Sequence, residues 1–186
     1  MKKVNSLFWM VVFLFTTSIV PGQHQGLTES QEKEHETFKR GRIAPVFAYS
    51  WVPKGDTHSG NVSGVVVAPT VGFDLEYFLT ERWAIGLYVD MEIMVDEVDQ
   101  GDGDFITREY PVVVAFGTTY EFVKSWNLFG AVGYEFENHE SFFIGELGIE
   151  REIRIPNNWD ITPTFTYTIK EGYDSWKLGV AFGKRF

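Results

Sequence analysis

The last eleven residues, Trp176–Phe186, read W-K-L-G-V-A-F-G-K-R-F and constrain the fold more than any other stretch. Alternate residues from Trp176 are Trp176, Leu178, Val180, Phe182, Lys184 and Phe186; the interleaved set is Lys177, Gly179, Ala181, Gly183 and Arg185. A period of two sorts side chains onto opposite faces of a strand, so one face is apolar and aromatic and the other small or charged. On the edge of a water-soluble sheet, such a strand would expose a row of large apolar groups and recruit other chains. Set against hydrocarbon, the same row is satisfied, provided that the small and charged face lines an interior.

The alternation recurs along the chain and predicts eight strands: 42–51, about 63–79, 83–95, 109–122, 126–137, 141–155, 159–170 and 176–186. The first puts Ile43, Pro45, Phe47, Tyr49 and Trp51 on one face; because Pro45 has no backbone donor, a bulge or weak pairing is expected there. A polar loop at 54–61 and an acidic loop at 96–108 follow the first and third strands, whereas 80–82, 123–125 and 156–158 are tight turns. Long and short connections alternate, and an even strand count returns both ends to the same side. Tyr77, Trp83, Phe122, Trp126, Trp159 and Phe186 cluster at the short-turn ends; Tyr49, Trp51, Tyr110, Phe136, Phe143 and Trp176 cluster at the long-loop ends. Two such girdles suit two membrane interfaces. A water-soluble lipocalin-type barrel would have the opposite polarity, apolar inside and charged outside. The expected fold is therefore all-β, an eight-stranded antiparallel up-and-down transmembrane β-barrel over residues 41–186.

Residues 1–22 carry Lys2 and Lys3 ahead of an apolar run, Leu7 to Val20, too short to cross a bilayer as a helix. They are expected to be a cleaved secretory signal. Residues 23–40 are polar, with Gln31-Glu32-Lys33-Glu34-His35-Glu36 at their centre, and are expected to form a mobile periplasmic arm. Beyond the signal, 14 basic groups face 26 acidic ones, a formal charge of −12. That balance argues against a nucleic-acid partner. The chain has no cysteine, so neither disulfides nor N-terminal lipidation at a cysteine enters the reading.

The terminal strand with its final Phe186, and the unit Val71-Gly72-Phe73-Asp74-Leu75-Glu76-Tyr77 followed by Trp83-Ala84-Ile85-Gly86-Leu87, resemble small porin-like outer-membrane barrels of the OmpA/OmpX type. The resemblance implies location in the outer membrane, lipid as the surrounding partner, insertion by machinery that reads the C-terminal strand, and a monomer without a cofactor. It does not imply an activity, because unrelated functions share one fold.

Three constellations could carry chemistry. The inward faces hold Asp74, Glu76, Asp90, Glu92, Glu121, Glu135, Glu146, Glu150 and Glu152 against Arg154, Lys170, Lys177 and Arg185. An eight-stranded barrel is just wide enough for side chains to fill it, so ion-pair packing is expected in preference to a proton or cation path. The acidic loop invites a calcium reading, but placing Gly103 at the glycine position of a helix–loop–helix site puts Val98 and Gln100 where carboxylates are needed. No metal site is expected. Finally, His139 and Ser141 have the His-x-Ser spacing of the lipid A deacylases among small barrels, with Glu140, Glu146 or Glu150 as orienting acids. Phe142 stands where that family usually has Asn, and a polar turn is the simpler reading. The function expected is a non-enzymatic envelope barrel with a filled lumen; the alternatives are a lipid A-modifying hydrolase and a narrow pore.

Overall fold

In a bilayer the backbone cannot hydrogen-bond to solvent, so strands survive there only if their sheet closes on itself. The computed structural model describes residues 38–53, 55–57, 64–99, 105–137, 141–171 and 173–186. Its strands are β1 Gly41–Pro53, β2 Gly55–Thr57, β3 Val65–Phe78, β4 Trp83–Glu92, β5 Val95–Asp99, β6 Phe105–Glu109, β7 Val112–Val123, β8 Trp126–Phe136, β9 Ser141–Arg151, β10 Ile153–Ile155, β11 Trp159–Lys170 and β12 Ser175–Arg185. The main sheet runs β1-β3-β4-β7-β8-β9-β11-β12, with β10 continuing the line of β9. Every pairing is antiparallel, and β12 returns to β1 from Arg42↔Arg185 to Trp51↔Trp176. Eight staves thus make a closed barrel. The seam is finished at the short-turn end, where Gly41 donates to the Phe186 carbonyl at 3.0 Å and Phe186 donates back to Gly41 at 2.9 Å. A Cβ at Gly41 would lie 2.5 Å from the Phe186 ring, so the ring packs directly over the glycine backbone.

The polarity is inverted relative to a soluble protein. Outward residues are large and apolar, for example Leu147 at 62% exposure and Phe116 at 58%, whereas the lumen buries Glu135 and Asp160 at 2% each. Small residues such as Ala44, Ala84, Ala115 and Ala181 fill much of the remaining interior face. No helix among the described residues is long and apolar enough to cross a membrane.

The short turns follow local chemistry. Asn157 and Asn158 take left-handed φ values of 64° and 60°, which Asn tolerates better than most residues, and Ser125 sits at 68° in the β7–β8 turn. Tyr110 is also left-handed, at φ 48°, where the chain bends from β6 into β7 and its N–H reaches the Met94 carbonyl at 3.1 Å.

Two sequence expectations need correction here and one is narrowed. The acidic segment 96–108 is not simply a loop: β5 and β6 pair from Val95↔Glu109 to Asp99↔Phe105. The polar segment 54–61 contributes β2 to the same small sheet, ordered β2-β5-β6. The alternating charged pattern of that region supports a solvated hairpin as well as it supports a loop. Second, of the bulge or weak pairing expected at Pro45, the structure has the weak pairing. The β1–β12 ladder keeps one register from Ile43↔Lys184 to Val46↔Ala181 and only omits Ala44 and Pro45. Third, the strand expected over 141–155 is interrupted at Glu152. The cause lies across the ladder. Ile153↔Ile161 and Thr164↔Glu150 share a register, and the gap between them contains Pro163, which has no N–H to offer. Glu152 donates its own N–H to the Ser125 carbonyl at 2.8 Å. The expected signal, residues 1–22, lies outside the described residues, as does the arm up to residue 37.

Leu87 sits outward at the middle of β4, between Leu75 and Phe116 on its neighbours. Leu87→Arg should lower folding stability by about 2–4 kcal/mol, read from reversible urea titration in lipid vesicles. A neutral effect would mean that this face does not meet hydrocarbon.

Candidate functional site

The chemistry of the molecule is concentrated in the lumen, where charged side chains from several staves meet. At the short-turn end, Arg42 of β1 donates from Nη1 to Glu76 of β3 at 2.5 Å and from Nη2 to Asp160 of β11 at 2.6 Å. Glu76 also accepts from the Tyr88 hydroxyl at 3.0 Å and from Thr119 at 3.2 Å. One guanidinium thus ties five elements of the wall together. Gly183 makes room for it, since a Cβ there would collide with both Asp160 and Arg42. Beside this group, Arg185 holds Glu152 with two bonds of 2.7 Å.

At mid-height, Lys177 of β12 pairs with Asp90 of β4 and lies 3.8 Å from Glu146 of β9. Glu146 accepts a further bond from Thr168 at 3.1 Å. Asp74 and Glu150 line the same interior and take part in none of these ion pairs.

The long-loop end has the densest cluster. Lys170 of β11 donates to both oxygens of Glu135, at 2.7 and 2.6 Å. Arg108 of β6 is fully buried and reaches Glu92 at 2.8 Å, Glu137 at 3.1 Å and Glu135 at 3.5 Å. The Tyr173 hydroxyl donates to Glu135 at 2.9 Å and Glu137 at 3.2 Å, and its ring sits 4.1 Å from the Lys170 ammonium. Just beyond β8, the Glu137 side chain is only 1% exposed and its Oε2 has no partner. Burial, helped by the adjacent Glu135, pushes the Glu137 carboxyl up to about 7.

Little open space is left between these layers. A cavity of about 10 Å³ lies among Arg42, Glu76, Glu150 and Thr162, and one of about 20 Å³ among Asp90, Glu92, Glu146 and Lys177. Each is on the scale of one water molecule.

Most of the charged residues expected inside are enclosed in the lumen, whereas Arg154, on the inward parity opposite Asp160, lies at the lumen's mouth. Its side chain is 59% exposed at the rim, although it still reaches Glu152 at 2.8 Å and Glu121 at 3.4 Å. Arg42, Arg108, Asp160, Glu137 and Tyr173 were not anticipated. Arg42 and Asp160 sit on the inward parity of their strands, which is the signal that could have found them; Arg108 and Tyr173 come from connections, where parity gives no guide.

The aromatic girdle is at the outer wall. Tyr77, Trp83, Tyr110, Phe122, Trp159 and Phe186 are exposed, whereas Trp51 and Trp176 are half-buried because they stack on each other at 4.7 Å and 7° across β1 and β12. Trp126 is half-buried beneath Arg151.

His139 lies outside the described residues. Ser141 is exposed opposite Phe136 and shares the outward parity of Phe143, while Glu146 and Glu150 share the opposite, inward parity. The wall of the barrel separates that serine from both acids. No cluster of His, Cys, Asp and Glu suited to a metal ion occurs among the described residues.

Two consequences are measurable. Arg42→Ala leaves Glu76 and Asp160 buried without their cation and should cost about 3–5 kcal/mol in urea-induced unfolding. For Glu137, the folded carboxyl holds a proton between the ordinary 4.5 and about 7 that the unfolded chain has released. Its contribution to stability is complete below the lower value and falls as pH rises through the upper one. The urea midpoint of the native protein relative to Glu137→Gln should therefore drop between pH 5 and pH 8; a constant difference would contradict the assignment.

No protein-family model matches the chain, and no curated protein sequence matches it. Among solved structures, Neisserial surface protein A (NspA) is similar with a TM-score of 0.51 at 8% identity, over 78% of this chain and 97% of that one. Ail, the attachment invasion locus protein of Yersinia pestis, has a TM-score of 0.48 at 10% identity, over 80% of this chain and 100% of that one. The outer membrane protein OprG from Pseudomonas aeruginosa has a TM-score of 0.46 at 15% identity, over 80% and 97%. At these identities the likeness concerns fold and not activity. With its closed ring of eight antiparallel staves, apolar outside and charged within, the chain has the fold of the small outer-membrane β-barrels.

Proposed function

We propose that the chain is a non-enzymatic outer-membrane barrel with a side-chain-filled lumen, serving as a structural component of the envelope and presenting its β2-β5-β6 sheet to the outside. The observation that carries this reading is the stack of ion-pair layers across the lumen, with cavities of about 10 and 20 Å³ between them among the described residues. A solute path would have to break pairs such as Arg42–Glu76 and Lys170–Glu135, both held at 2.6 Å or less. The reading includes export by residues 1–22, insertion guided by β12 with its terminal Phe186, and a monomer surrounded by lipid. The separation of Ser141 from Glu146 and Glu150 weighs against those two as orienting acids in the hydrolase alternative, while His139 and Glu140 lie outside the described residues.

Single-channel recording in planar bilayers tests the proposal. The native protein should be silent across the voltage range, whereas a sustained ohmic conductance would show an open lumen and overturn it.

A further inference from the structure

The charges outside the lumen are not spread evenly between the two ends. At the long-loop end, the sequence from 95 to 109 carries Asp96, Glu97, Asp99, Asp102, Asp104 and Glu109, and its one base, Arg108, is withdrawn into the lumen. Among the described residues at the short-turn end the balance reverses. Arg82 and Lys124 stand exposed in the turns after β3 and β7, and Glu81 is the one exposed acid among the described residues there.

Two further cations at that end occupy a repeated arrangement on the outer wall. Trp126 faces Arg151 across the β8–β9 ladder, with the guanidinium carbon 5.6 Å from the ring centroid. Trp159 faces Lys184 across the β11–β12 ladder, with Nζ 5.0 Å from the ring centroid and donating to the Asn157 carbonyl at 2.6 Å. All four side chains share the outward parity of Leu128 and Phe182, so each pair lies on the lipid-facing wall at its rim. A tryptophan settles at headgroup depth. A cation held over its ring is fixed at that depth with its positive charge retained, and phosphate is the anion found there.

We infer that the Trp126–Arg151 and Trp159–Lys184 pairs are binding seats for the phosphate of anionic glycerophospholipids in the leaflet at the short-turn end. The inference rests on the membrane-barrel reading above and adds a lipid preference to it. Arg82 and Lys124 strengthen the local positive potential, while the acidic long-loop end would repel the same headgroups. Attraction of a basic residue to an anionic surface corresponds to about fivefold in binding per cation.

Native mass spectrometry tests the inference on the folded barrel, released from micelles containing equal amounts of phosphatidylglycerol and phosphatidylcholine. Phosphatidylglycerol adducts should exceed phosphatidylcholine adducts about fivefold or more, and the Arg151→Gln/Lys184→Gln double variant should bring the ratio close to one. Arg151→Lys should keep the preference, because the charge is retained. Equal adducts on the native protein, or an unchanged ratio in the double variant, would overturn the inference. Folding of each variant is checked by its heat-dependent gel mobility; if the double variant does not fold, each single glutamine variant should lose part of the preference, and no loss in either overturns it. Excess inorganic phosphate should leave the lipid adducts in place, and their complete displacement would mark a free-anion site instead. Failure of the membrane reading has a separate signature: a protein that folds without detergent and carries neither lipid.

Discussion

Every other feature of the structure depends on one constraint, that a backbone surrounded by hydrocarbon must find all its hydrogen-bond partners within the protein. The β1–β12 ladder meets it by removing the sheet edge, and the reciprocal Gly41–Phe186 bonds carry the pairing to the end of the chain. The constraint also explains where proline is tolerated. Pro45 and Pro163 each leave a gap in one ladder without shifting its register. On their other sides both remain in register, Pro45 with Phe73 and Pro163 with Val180. A missing donor therefore costs a local pairing, while the neighbouring residues hold the wall. Glu152 gives its N–H to Ser125 as the β8–β9 register continues, so the gap toward β11 leaves the other side of the stave paired.

Closure at eight staves fixes the lumen's character. An eight-stave interior is just wide enough for side chains to fill it, so side chains from opposite staves meet across it. With lipid outside, the inward face is where polar residues can go, and once there they must pair. Carboxylates outnumber cations, so two of the arginines are shared. Arg42 serves Glu76 and Asp160, and Arg108 serves Glu92, Glu135 and Glu137. Guanidinium suits this because its five donors diverge in a fixed plane. Lys170 and Lys177, with compact ammonium groups, take the positions where one carboxylate dominates. Buried ion pairs of this kind add little net stability over an apolar core, yet removing one partner is expensive. The lumen is thus a set of mutual obligations among strands distant in sequence, and it fixes how the staves face one another.

The architecture was legible in the sequence because period-two alternation survives in every stave and because the charges fall on the face that carries Gly, Ala and Thr. Trp126, Trp159 and Phe186 could be placed at the short-turn rim from the same pattern. What could not be read depends on contacts that alternation does not encode. Arg108 lies in a segment that reads as acidic and solvated, yet its neighbours fold as a hairpin that carries it inward. Arg154 keeps its inward parity opposite Asp160 across the break at Glu152, but it lies at the short-turn rim, where its side chain is exposed. The cause of that break, Pro163, is on the partner strand. Pairing between Arg42 and Asp160 spans 118 positions and needs the barrel's closure before it can exist.

The long-loop mouth links wall and surface. Arg108 comes from β6, Glu137 from the end of β8 and Tyr173 from the connection between β11 and β12, and all three converge on Glu135 in the wall. The inner ends of these connections are therefore moored to the barrel by buried, hydrogen-bonded charges, which are costly to separate. The same mooring changes what the outside presents. By taking its one base into the lumen, the β5–β6 hairpin leaves only acidic charge among its ionisable groups. Counter-charge for the lumen and the acidic balance of the hairpin's remaining residues thus follow from a single side-chain placement.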